Sequence, residues 1–130
     1  MKKHIIVLFL AIVTSSVSAQ DDGEIFARGM ELFNAKNYDI AAIEFLKIKQ
    51  ETAYYPSALY MAGACYNMKY SDVAMAKGGS MTKDEVRQGI ADFENAQDYY
   101  EKSCKAGYQQ GCTQAKIIKQ VIVSLKNMLK

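Results

Sequence analysis

Val86, Ile90, Phe93, Ala96, Tyr100 and Cys104 recur at intervals of three or four residues, which places all six on one face of one long helix. A strand cannot gather them on one side, because its successive side chains point to opposite faces. Thr82 stands where a capping hydroxyl is needed, Glu85 follows three residues later to complete a capping box, and Gly107 supplies the terminator. A helix with so continuous an apolar face must bury it against other helices.

The rest of the chain provides them. From Glu24, the positions Ile25, Met30, Leu32 and Phe33 suit a first helix, and Asp21 with Glu24 resembles a capping box at its start. After residues 34–37 a second periodic run holds Tyr38, Ala41, Ala42, Phe45, Leu46 and Ile48. Tyr54-Tyr55-Pro56 breaks it, with proline placed for the first turn of a third helix holding Ala58, Leu59, Ala62, Cys65 and Tyr66. Residues 67–82 lose the regularity: Gly78-Gly79-Ser80 reads as the centre of a flexible surface loop, in which Ser71 to Lys77 can form a short helical turn. A fifth helix, 109–130, sets Ile118, Val121, Ile122, Leu125 and Leu129 on one stripe, with Lys116, Lys119, Lys126 and Lys130 over the rest. It is expected to close the fold. Ile117, Val123 and Met128 widen its apolar face, so a partner-binding surface and an interfacial membrane helix stand as alternatives. The expectation is an all-α fold of about five helices in antiparallel pairs.

Residues 1–19 read differently. Met1-Lys2-Lys3-His4, an uncharged apolar run from Ile5 to Val13 and the ending Val17-Ser18-Ala19 form a secretory signal peptide cleaved before Gln20. The run is far short of the roughly 20 residues a membrane-spanning helix needs, so no stable membrane span is expected. The working domain is then 20–130, expected to be exported to a periplasm, with secretion beyond it as the other destination.

Removing that segment changes the chemistry on offer. The full chain carries 16 basic and 14 acidic residues; without Lys2 and Lys3 the two balance, and no arginine-rich stripe remains to engage nucleic acid. The single histidine, His4, goes with the signal, so no serine-histidine or cysteine-histidine pair can be built. The carboxylates Asp84, Glu85, Asp92, Glu94, Asp98 and Glu101 interleave with apolar residues as on a solvated helix face. Ser80-Met81-Thr82-Lys83 has the Ser-x-x-Lys spacing of penicillin-recognising enzymes, but Ser-Asp-Asn and Lys-Thr-Gly partners are missing. No catalytic residue, metal or cofactor is expected. Nine tyrosines and no tryptophan leave amphipathic rings for helix packing, and Tyr54, Tyr55 and Tyr70 are candidates for contact with a partner.

Gly29, Leu32, Tyr38, Ala41 and Phe45 stand at the small, large, aromatic, small and aromatic positions of a helix pair that resembles a tetratricopeptide unit, and Gly63 and Tyr66 restart the pattern. The stretch from Ala96 through Tyr99-Tyr100-Glu101-Lys102-Ser103-Cys104 to Gly111-Cys112 resembles the Sel-one-like repeats, above all their secreted cysteine-rich members. The resemblance covers roughly residues 24–115. It implies a short solenoid of stacked helix pairs, with Ala96 and Tyr100 among the packing positions, and a disulfide between Cys104 and Cys112. The loop before the fourth helix is longer than a family repeat has. Cys65 is left over: a buried small hydrophobe with a free thiol, an intermolecular disulfide partner and a reactive thiol are its open readings.

The functional expectation is a non-enzymatic exported helical-repeat module that binds a protein or peptide in the cell envelope. The alternatives are a small enzyme or ligand-binding protein acting on cell-wall-like or beta-lactam substrates, and a structural subunit of an envelope complex.

Overall fold

The computed structural model describes residues 21–130; the expected signal peptide, residues 1–19, lies outside the described residues. Five helices follow in order: α1 (Asp21–Asn34), α2 (Tyr38–Phe45), α3 (Tyr55–Lys77), α4 (Lys83–Lys105) and α5 (Gln109–Met128). No strand occurs among the described residues.

Each helix packs against its neighbour in sequence, and named contacts give the direction of each pair. Gly29 of α1 meets the Phe45 ring of α2, while Phe33 packs edge-on against Tyr38. Tyr38 at the start of α2 donates from its hydroxyl to Asp72 near the end of α3, at 3.2 Å. Tyr70 late in α3 packs on Phe93 of α4, and Ser103 late in α4 bonds Pro56 early in α3. Lys126 of α5 pairs with Glu94 of α4 at 3.4 Å. Every consecutive pair therefore runs antiparallel, as short connections require.

Glycines set how closely these helices approach. A Cβ on Gly29 would lie 2.6 Å from Phe45 Cε1, and one on Gly63 would lie 2.9 Å from Tyr100 Cδ1. Both positions thus admit no side chain without displacing an aromatic ring. The core divides into two clusters: one joins α1, α2 and the first half of α3 around Ala41, Phe45 and Ala62, and the other joins α3, α4 and α5 around Phe93, Tyr100 and Ile118. Tyr66 packs against both.

The ends of α4 form as its sequence dictates. The Thr82 hydroxyl accepts from the Glu85 backbone N–H at 3.1 Å and donates to the Glu85 carboxylate at 3.2 Å. Beyond Lys105, Gly107 takes φ +101°, and the Tyr108 N–H returns to the Ser103 carbonyl at 3.0 Å.

One expected boundary is corrected. Residues 67–77 are not part of a loop; α3 continues through them to Lys77, and only 78–82 connect α3 to α4. The apolar period fades there because this last stretch of α3 has less to pack against, leaving Val73 and Met75 exposed. Its helix geometry persists, with the Ser71 hydroxyl bonded to the Asn67 carbonyl at 2.9 Å and Gly78 closing the helix at φ +54°. No helix among the described residues is long and apolar enough to cross a membrane.

Candidate functional site

The largest exposed apolar residues of the first helix pair lie on α2 and just beyond it: Ile40, Ile43 and Leu46, spaced by three. α2 has more apolar positions than one packing face needs. Ala41, Ala42 and Phe45 fill the core, and the surplus points outward.

Leu46 borders a groove of about 230 Å³ where α2, α3 and α4 meet. Phe45, Ile48, Ala58 and Leu59 supply its apolar walls, and Tyr55, Tyr99 and Lys102 its polar tips. The Tyr99 ring lies parallel to Tyr66, with centroids 5.8 Å apart, while the Lys102 ammonium stands 5.2 Å from the Tyr99 centroid and pairs with Asp98 at 2.9 Å. Three residues beyond Tyr66, the Lys69 ammonium binds Asp39 of α2 at 3.0 Å. That hydrogen bond holds Lys69 protonated to a higher pH than usual.

Lys69 also lines a second, smaller cleft of about 120 Å³ with Tyr70, Val73, Glu85, Gln88, Gly89 and Asp92. Asp92 is only 5% exposed and accepts from the Gln88 amide at 3.3 Å. Burial raises its pKa, opposed by the positive Lys69 and by the Gln88 hydrogen bond. Glu85 is held the other way, below the ordinary carboxylate range, first by its hydrogen bond from Lys77. From Tyr55 to Val73 these features occupy one strip beside α3, about 27 Å long at 1.5 Å per helical residue. Its aromatic end can take an apolar anchor and its charged end a polar segment, the combination that peptide-recognition grooves use.

The predicted site residues divide accordingly. Tyr55 lines the groove. Tyr54 is 46% exposed but stands apart, its ring against Phe26 of α1 at 5.7 Å. Tyr70 is a correction: it is 8% exposed and fills the space over Gly89, its hydroxyl donating to Met81 Sδ at 3.4 Å, so its ring is a core element and not a partner anchor. The packing positions Tyr38, Ala41, Phe45, Gly63, Ala96 and Tyr100 are buried, Gly29 is enclosed by Phe45, and Leu32 and Tyr66 are half-buried. Cys104 and Cys112 form a disulfide, with Cα atoms 4.6 Å apart, joining the last turn of α4 to the first of α5. Cys65 is a free, buried thiol whose pKa desolvation pushes up to about 12, which leaves it unreactive as it stands.

Sequence reasoning did not single out Leu46, Tyr99, Lys102 or the Asp39–Lys69 pair. The signal for Leu46 was the apolar excess on α2. For Tyr99 and Lys102, which sit three apart on the polar side of α4, no pattern marks them before α2 is brought alongside.

Ser80 and Lys83 lie exposed on the turn where Thr82 caps α4. Among the described residues no group of three or more histidine, cysteine or acidic side chains could hold a metal ion. Compared with protein-family models, with curated proteins and with solved structures, the chain matches none.

Proposed function

We propose that this chain is an exported, non-enzymatic helical-repeat module that binds a protein or peptide segment in the cell envelope, along the strip from Tyr55 and Leu46 to Lys69. The observation that carries the reading is the groove itself: it is shared by α2, α3 and α4, and leaves Leu46 exposed at its edge. Two further features support a short tetratricopeptide-like or Sel-one-like solenoid. Each helix packs mainly on its sequence neighbours, the connectivity of stacked repeats, and the cysteine-bearing turn lies where the Sel-one-like pattern puts it.

The test is site-directed photocrosslinking in the native envelope, with a benzophenone side chain at Leu46 or at Tyr99. The expected result is a discrete adduct at both positions, lost on Tyr55→Ala. Adducts that form equally from the remote Met75, or monomer alone from every position, reject the reading.

A further inference from the structure

The charges of this molecule are matched in its middle and unmatched at its two ends. Among the described residues, seven acidic side chains of α2, α3 and α4 stand within ion-pair distance of a lysine or arginine. None of the four acidic residues of α1, Asp21, Asp22, Glu24 and Glu31, does so. The one basic residue of α1, Arg28, is turned to Glu44 of α2 at 3.6 Å. Asp21, Glu24 and Glu31 fall on one exposed face of the helix. α1 is also covered from one side only: Gly29 is its single buried residue, and Ile25, Phe26, Met30, Leu32 and Phe33 are half-buried.

The opposite imbalance lies where α4 hands over to α5. A groove of about 290 Å³ there is lined by the Cys104–Cys112 disulfide and Ala115, with Lys105, Lys116 and Lys119 against the single carboxylate of Glu101. None of these three lysines makes an ion pair among the described residues, and α5 itself has no acidic residue. Lys126 is not part of this set, being paired with Glu94. α1 packs on α2, and α5 packs on α4. The unmatched acids and the unmatched lysines thus lie at opposite ends of the helix series and do not pair within one chain.

We propose that copies of this chain associate head to tail, the acidic face of α1 in one copy seated against the lysine-rimmed groove between α4 and α5 of the next. The occupant follows from the charge complementarity of two surfaces that the same chain carries, and from the half-covered state of α1, whose open side a following helix pair would cover as neighbouring units do in stacked helical arrays. A contact between two different surfaces is heterologous: each added copy leaves one acidic face and one groove free, so assembly continues past a dimer. Opposite charge sets the register and orientation of such a contact, and salt screens it. The inference does not depend on the α2–α4 groove.

The experiment is analytical ultracentrifugation of the purified protein over a rising concentration series, at low and at high salt. The expected result is a mass that climbs past that of a dimer with concentration and returns to the monomer at high salt. Lys116→Glu with Lys119→Glu, and separately Asp21→Lys with Glu24→Lys, should each weaken association roughly tenfold or more. Mixing these two variants sets opposite charges face to face again at every contact and should restore assembly. Circular dichroism checks that both variants are folded; where one is not, the concentration and salt series on the unaltered protein decides. Monomer at every concentration, growth that stops at a dimer, association indifferent to salt, a folded variant that assembles alone like the parent, or a mixture of folded variants that stays monomeric overturns the proposal.

Discussion

The Ser103 hydroxyl donates to the Pro56 carbonyl at 2.8 Å, joining the end of α4 to the first turn of α3 across 47 positions of sequence. Ser103 is fully buried and lies beside Gly111, where an added Cβ would stand 2.9 Å from Ser103 Cβ and 2.7 Å from the Tyr100 carbonyl oxygen. Three helices therefore converge on one small side chain. Ser103→Ala is expected to cost about 1 kcal/mol, the net worth of a hydrogen bond between neutral groups. Ser103→Val should cost more, because it loses the bond and adds volume where none is free. Urea denaturation of the two variants checks the order.

Gly89 and Tyr70 depend on each other in the same way. A Cβ on Gly89 would overlap the Tyr70 ring, which in turn packs edge-on against Phe93. Gly89→Ala is expected to destabilise by about 1–3 kcal/mol. Combining it with Tyr70→Leu should recover part of that loss, giving a non-additive double-mutant cycle by thermal or chemical denaturation.

How much of this was legible before the structure follows from where each residue's partners lie. The face of α4 is visible in the sequence because its period runs for five turns, and Thr82 and Gly107 announce its ends by local chemistry alone. Residues 67–77 are misleading, since the end of α3 keeps helical backbone after its apolar period fades. Tyr70 stands in the sequence as both a packing ring and a candidate partner contact, until Gly89, nineteen positions away, is seen to make room for it. The aromatic end of the candidate groove was visible only as Tyr55; Leu46, Tyr99 and Lys102 come together through the packing of three helices, which no local pattern records.

The cysteines should separate cleanly by accessibility. Under native conditions Cys65 is buried with its thiol held protonated, and Cys104 and Cys112 are bonded to each other, so alkylation without reductant should label none. Denaturation without reductant should expose one thiol, and denaturation with reductant three; intact-mass measurement counts them. Cys104→Ser with Cys112→Ser is expected to lower stability by roughly 2–3 kcal/mol, the chain entropy of closing so short a loop. A smaller loss would show that the α4–α5 turn, already held by Gly107, is preorganised without the bridge.

Asp92 predicts a pH dependence of unusual sign. Burial raises its pKa above the ordinary 3.8, so the folded protein binds this proton more tightly than the unfolded chain does. Its favourable contribution is complete below pH 3.8 and is lost as pH rises through the raised folded value, after which a largely buried carboxylate must be carried beside Lys69 and Gln88. Glu44 and Glu85 act in the opposite direction: Lys47 and Lys77 lower their pKa values, so their contribution is present above the unfolded 4.5 and is lost as acid protonates them. These two operate equally with and without Asp92, and subtraction removes them. Asp92→Asn keeps an oxygen to accept from Gln88, and Lys69 retains Asp39 as its partner. The variant is therefore expected to be more stable than the parent at neutral pH, with the difference shrinking as pH falls toward 4. Chemical denaturation at a series of pH values measures it. A variant less stable than the parent at neutral pH would mean that attraction to Lys69 outweighs the cost of burying the Asp92 charge.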